Sequence, residues 1–176
     1  MNRRHVLQGL ASVAALSLFS GCSRAVDPVT TAGAAGPAVV SLDHPDSFWR
    51  SKVSPAAFEV LFEDGTELAG SSPLDKEWRE GTFICAACYL PLFLSEFKFD
   101  SGTGWPSFTQ PIAGHMGIST DYKLILPRTE YHCARCGGHQ GHIFEDGPPP
   151  RRERWCNNGV ALNFVPQGEP LPALRG

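Results

Sequence analysis

Apolar and polar positions divide the chain into three regimes. Residues 10–19 form an apolar run interrupted only by two serines. Residues 23–45 are small and rich in Ala, Gly, Pro, Val and Thr, with no helical or alternating period that could bury a face. From Asp46 onward, short apolar segments alternate with Gly, Pro and Asp, the pattern of a folded domain. Ser54-Pro55 supplies an N-cap acceptor and a φ-locked first residue ahead of Ala56, Ala57, Phe58 and Leu61, which predicts a short helix ended by Glu63-Asp64-Gly65. Segments 82–85, 122–126, 130–133, 154–157 and 160–164 read as strands. The expected fold is mainly β, with twisted antiparallel sheets and a few short helices on one side. It is placed over residues 46–170, with 171–176 as a tail.

The first 21 residues read as an address. Arg3-Arg4 precede an apolar run too short to span a bilayer, and Asn2-Arg3-Arg4-His5-Val6-Leu7 resembles a twin-arginine export signal. Phe19-Ser20-Gly21-Cys22 resembles a lipobox, where cleavage before Cys22 precedes its acylation; a cleaved soluble signal with Cys22 incidental is the other reading. Both place the mature domain outside the cytoplasm of a bacterium, in the periplasm. Residues 22–45 then act as a tether. A flexible chain of that size spans on the order of 25 Å.

Charge narrows the partners. The net charge of −3 becomes −5 without residues 1–21, because Arg3 and Arg4 leave with no acid and 13 bases then face 18 acids. An acidic domain is a poor binder of nucleic acid.

Cysteine spacing carries the most specific signal. Cys85-Ala86-Ala87-Cys88 and Cys133-Ala134-Arg135-Cys136 are separated by 44 residues, and two Cys-x-x-Cys turns can close one tetrahedral zinc site that staples distant strands. One or two redox disulfides are the alternative in an exported protein. Either arrangement leaves Cys156, within Arg154-Trp155-Cys156-Asn157-Asn158, as a lone thiol. Such a thiol is often an apolar core group. Arg154 and a nearby imidazole would favour its thiolate, and Asn157 or Asn158 could donate hydrogen bonds beside it. His139 and His142 follow the second cysteine pair closely, so that the metal knuckle could brace a loop carrying them as an acid; metal ligation or a core role are their other readings. Ser101-Gly102-Thr103-Gly104-Trp105-Pro106-Ser107-Phe108 reads either as a turn packing its aromatics inward or as an apolar wall, whose indole face suits a methyl group carrying partial positive charge.

Seven motifs in order carry a family resemblance: Gly65-Thr66-Glu67, Gly81-Thr82-Phe83-Ile84-Cys85, the run from Lys98 through Gly102-Thr103-Gly104-Trp105 to Phe108, Arg128-Thr129-Glu130, Cys133-Ala134-Arg135-Cys136-Gly137, Gly141-His142-Ile143-Phe144-Glu145-Asp146-Gly147-Pro148, and Arg154-Trp155-Cys156-Asn157-Asn158. Across residues 46–166 the chain resembles the methionine-R-sulfoxide reductases. The resemblance implies twisted antiparallel sheets around a shallow site, with a structural zinc on Cys85, Cys88, Cys133 and Cys136. It implies Cys156 as nucleophile, His139 and His142 as assistants to acid catalysis, Trp105 as the seat of the substrate methyl, and Asn158 and Arg154 completing the pocket. Asp146 is expected to orient one imidazole.

The chemistry needs those groups: a sulfoxide is a weak electrophile until its oxygen is protonated, and thiolate attack then leaves a cysteine sulfenic acid. Two departures stand out, Trp155 where Tyr is common and Thr103 where many relatives carry a resolving cysteine. The second implies recycling by an external, thioredoxin-like thiol donor. The expected protein is a monomeric, extracytoplasmic repair enzyme acting on methionine sulfoxide, free or in proteins. A zinc-stapled binding module and a general thiol peroxidase are the competing readings. The first would survive Cys156→Ser, and the second would reduce hydroperoxides at least as fast as sulfoxides.

Overall fold

A computed structural model describes residues 38–123 and 126–176. The export-signal and lipobox residues, Cys22 and the tether up to residue 37 lie outside the described residues. Helix α1 (Asp46–Trp49) is short and is held by Trp49, which is buried and stacks on Phe62 with ring centroids 5.9 Å apart. Helix α2 (Pro55–Phe62) forms as expected: the Ser54 hydroxyl accepts from the Ala57 N–H at 3.1 Å, Pro55 opens the first turn, and Ala57, Phe58, Val60 and Leu61 are buried. Packing also reaches upstream of Asp46. Val39 and Leu42 lie against the core, and the Leu42 N–H donates to the Arg135 carbonyl at 2.6 Å.

Nine strands follow among the described residues: β1 (Gly81–Cys85), β2 (Pro91–Leu94), β3 (Lys98–Phe99), β4 (Ser107–Phe108), β5 (Met116–Asp121), β6 (Arg128–Cys133), β7 (His139–Phe144), β8 (Arg154–Asn157) and β9 (Leu162–Pro166). They make two antiparallel sheets, one ordered β2-β1-β9 and the other β3-β4-β8-β7-β6-β5. Aromatic rings join the sheets. Phe93 of the first stacks on Phe108 of the second at 4.0 Å, and Phe83 meets the same ring edge-on at 5.0 Å. Each such pair adds roughly 0.5–1.5 kcal/mol beyond the area it buries, so the small core is specified by a few rings.

The strands expected at 82–85, 130–133 and 154–157 are present within two residues. The segment expected at 160–164 opens instead as a 3-10 turn, Gly159–Ala161, and becomes strand only at Leu162. The strand expected at 122–126 is displaced upstream to β5. Tyr122 and Leu126 are 75% and 76% exposed, and the Asp121 carboxylate accepts from the Lys123 N–H at 2.8 Å, a local turn that ends the strand. Residues 124 and 125 of that segment lie outside the described residues, and the observed edge strand is built largely from small and polar residues. His139 and His142 lie on β7 and not on a loop. A Cβ at Gly141, between them, would run into the Cys156 carbonyl, so this glycine permits the close pairing of β7 with β8.

Candidate active site and metal centre

Each cysteine pair sits where a strand runs into a tight turn. Cys85 ends β1 and Cys133 ends β6; Gly137, at φ +73°, closes the second turn with its N–H on the Cys133 carbonyl at 2.9 Å. The four thiols are buried and unoxidised. Cys85 Sγ lies 3.6 Å from Cys136 Sγ, Cys88 Sγ lies 3.5 Å from Cys133 Sγ, and all four sulfurs fall within 4.8 Å of one another. Zinc–sulfur bonds of about 2.3 Å give a tetrahedron with edges of roughly 3.8 Å, which these separations fit. The four cysteines form a structural zinc site with every position filled by sulfur, which leaves none for a substrate. The Gln140 amide donates to Cys85 Sγ at 3.6 Å. The tail expected at 171–176 is docked at this site: the Arg175 guanidinium donates to the Ala86 and Ala87 carbonyls at 2.5 and 2.6 Å, and its N–H reaches the Cys88 carbonyl at 2.9 Å.

At the other site, sheet order determines which groups meet. β8 lies between β4 and β7, and its register sets Cys156 opposite Ser107 on one side and opposite His142 on the other. A cleft of about 130 Å³ opens over the sulfur, walled by Thr66, Trp105, His142, Phe144 and Asn158. Burial pushes the Cys156 thiol up, and Arg154, Ser107 and Thr103 pull it back without fully offsetting that effect. The neighbours named from the sequence thus act in the expected direction, against the effect of burial.

Both imidazoles are held by carboxylates. Asp121 Oδ2 is 2.9 Å from His142 Nε2 and accepts from Arg128 at 2.6 Å; Glu130 Oε1 is 2.7 Å from His139 Nδ1. Burial lowers the His142 pKa, and Asp121 counteracts it. His139 is buried behind His142, with ring centroids 5.3 Å apart, and does not line the cleft. Asp146 does not orient an imidazole. Its two oxygens accept from Arg154 at 2.7 and 3.0 Å, because the β7–β8 hairpin pairs Phe144 with Arg154 and folds Asp146 back beside the guanidinium. Arg154 in turn lies over the Phe144 ring at 4.3 Å.

Of the two asparagines, Asn157 is used up internally: it accepts from the Tyr131 hydroxyl at 2.9 Å and donates to Gln140 and to the Asn158 carbonyl. Asn158 donates once, to the Gln140 carbonyl at 3.1 Å, and keeps a second amide hydrogen for the cleft. Glu67 ties the pocket wall together. Its N–H donates to Asn158 Oδ1 at 3.1 Å, its carbonyl accepts from the Trp105 indole at 3.3 Å, and its carboxylate accepts from the Gly159 and Val160 N–H groups at 2.5 and 2.9 Å.

Residue-level reading of the sequence missed Glu67, Asp121, Arg128 and Glu130. Three of them lie in motifs already visible, Gly65-Thr66-Glu67 and Arg128-Thr129-Glu130, whereas Asp121 carries no local signal.

A zinc-stapled antiparallel fold with one cysteine in a cleft lined by an imidazole and an indole is the setting of an oxidoreductase. The SelR domain family matches residues 53–166. The chain is 44% identical over 122 residues to a peptide methionine sulfoxide reductase MsrB of Agrobacterium fabrum, covering 69% of this chain and 90% of that protein. MsrB of Bradyrhizobium diazoefficiens is 46% identical over 120 residues, covering 68% and 86%. MsrB of Thiobacillus denitrificans is 44% identical over 131 residues, covering 73% and 99%. The chain belongs to the MsrB family of methionine-R-sulfoxide reductases, a family of oxidoreductases.

Proposed function

We propose that this chain reduces the R epimer of methionine sulfoxide to methionine through a sulfenic acid on Cys156. The observation that carries the reading is the placement of Cys156 opposite His142 on adjacent strands, within a cleft that Trp105 walls. With the substrate methyl on the indole and its oxygen toward His142, the substrate sulfur faces the Cys156 sulfur. The thiolate attacks while the imidazolium protonates the oxygen. The sulfur–sulfur bond formed in the attack breaks as the protonated oxygen passes from the substrate sulfur to Cys156; Cys156 loses two electrons and the methionine sulfur gains them.

Recycling falls to a partner. Among the described residues, Cys156 is the one free cysteine outside the metal set. A first external thiol condenses with the sulfenic acid, releasing water and leaving a mixed disulfide; a second releases the Cys156 thiol and leaves the donor oxidised. A thioredoxin-like dithiol supplies both. The open cleft suits a methionine sulfoxide side chain presented by a protein surface.

We place the enzyme outside the cytoplasm as a repair enzyme, on the strength of the Arg3-Arg4 signal and the lipobox at Cys22. Acylation at Cys22 would hold a monomeric domain near a membrane. Turnover of the purified protein on the separated epimers tests the reaction: the R epimer is consumed and the S epimer is not. Equal rates on both overturn it. Replacing Arg3 and Arg4 by lysine tests the address, with retention in the cytoplasm the expected outcome.

A further inference from the structure

Three linked hydroxyl groups on the β4 side of Cys156 have no role in the steps above. Ser107 is its direct register partner on β4, fully buried, in a position where cross-strand Cβ atoms are about 5 Å apart. Ser101 Oγ lies 2.8 Å from Ser107 Oγ and 2.8 Å from Thr103 Oγ1. Ser107 also reaches the Trp105 carbonyl, as donor, at 3.1 Å.

A buried hydroxyl is costly unless partnered, and this chain of contacts satisfies all three in one direction: Thr103 to Ser101, Ser101 to Ser107, Ser107 to the Trp105 carbonyl. In that state the donors of the hydroxyl chain point along it and away from the sulfur. Because hydroxyl hydrogens rotate freely, the Ser107 donor can leave the carbonyl and turn toward the sulfur of its register partner. Thr103 can turn in the same way. Such a network answers to the charge on sulfur.

We propose that Ser107, Ser101 and Thr103 form a rotatable hydroxyl cradle for the anionic states of the Cys156 sulfur, the thiolate before attack and the sulfenate after it. The second half rests on the reductase reading. Thr103 stands where many relatives of the family carry a resolving cysteine, so in this chain that position holds the oxidised sulfur for an outside thiol and does not attack it. Both Ser107 and Thr103 oppose the effect of burial on the thiol. The other charged or titratable groups facing the sulfur are Arg154 on its own strand, His142 on β7, and Tyr131 and Arg128 on β6. None of them belongs to the hydroxyl chain.

The test is the pH dependence of Cys156 alkylation by iodoacetamide in the zinc-loaded full chain, with the modified residue located by mass spectrometry. Ser107→Ala and Thr103→Val should each react about tenfold more slowly near neutral pH, the loss expected for one hydrogen bond to an anion, with the same plateau at high pH. Thr103→Ser should follow the parent chain. Curves that coincide with the parent for both variants overturn the cradle, and so does a Thr103→Ser curve that matches Thr103→Val. Alkylation needs no sulfoxide, so a shifted curve in a protein that reduces neither epimer sinks the reductase reading alone. Unshifted curves in an active enzyme sink the cradle alone.

Discussion

Cys156 and His142 are register partners on adjacent antiparallel strands, so the proposed nucleophile and acid are positioned by backbone hydrogen bonds and not by a flexible loop. Asp121 fixes the ring from behind at 2.9 Å. Burial disfavours the imidazolium and Asp121 favours it, so removing the carboxylate lowers the His142 pKa further. In the proposed mechanism the protonated ring is the acid, so activity should fall as pH rises through its pKa. In Asp121→Asn the alkaline limb of the kcat/KM profile should therefore move to lower pH, with about a tenfold loss near neutrality if the shift is about one unit. A profile with an unmoved limb would remove His142 from the acid role.

Cys156→Ser should abolish turnover, by at least about a thousandfold, while zinc content and the unfolding midpoint stay near those of the parent. Zinc analysis and a thermal melt accompany the assay. Residual turnover close to the parent rate points to another nucleophile.

Glu67 joins three parts of the pocket through one residue, and its carboxylate spans the Gly159 and Val160 N–H groups. Glu67→Ala leaves those donors unpaired and should cost about 2 kcal/mol of stability. Because the carboxylate anchors the segment whose backbone contacts Trp105 and Asn158, KM for the sulfoxide should rise more than kcat falls. Denaturant unfolding and steady-state kinetics measure the two effects separately.

The metal should be present at one zinc per chain by elemental analysis, and Cys133→Ser should lose both metal and fold. Arg175→Ala is a milder probe. It removes two charged donors from the Ala86 and Ala87 carbonyls of the first knuckle. The expected results are a loss of about 2 kcal/mol and faster zinc release to a chelator, with kcat unchanged. Release at the parent rate would show that the C-terminal segment does not brace the knuckle.

Much of this site could be read before any coordinates, because its chemistry resides in residue types at fixed short spacings. Two Cys-x-x-Cys turns imply a metal wherever they meet, and a lone cysteine among Arg154, Trp155 and Asn158 stands out locally. Helix α2 was legible for a similar reason, since Ser54 and Pro55 act on the turn that follows them. Strand β5 was not: it is an edge strand of small, mostly polar residues, recognisable only by its pairing with β6.

The sequence by itself determined the fold class and the metal ligands, and it singled out Cys156 and Trp105, which line one cleft. Tertiary structure alone decided which carboxylate serves which ring. Asp146 is four residues from His142 along the chain yet pairs with Arg154, while Asp121, 21 residues away, holds the imidazole. Local signals arise from propensity and turn geometry, which depend on near neighbours. Partnership between these charges depends on strand register, which is set by the packing of the whole sheet.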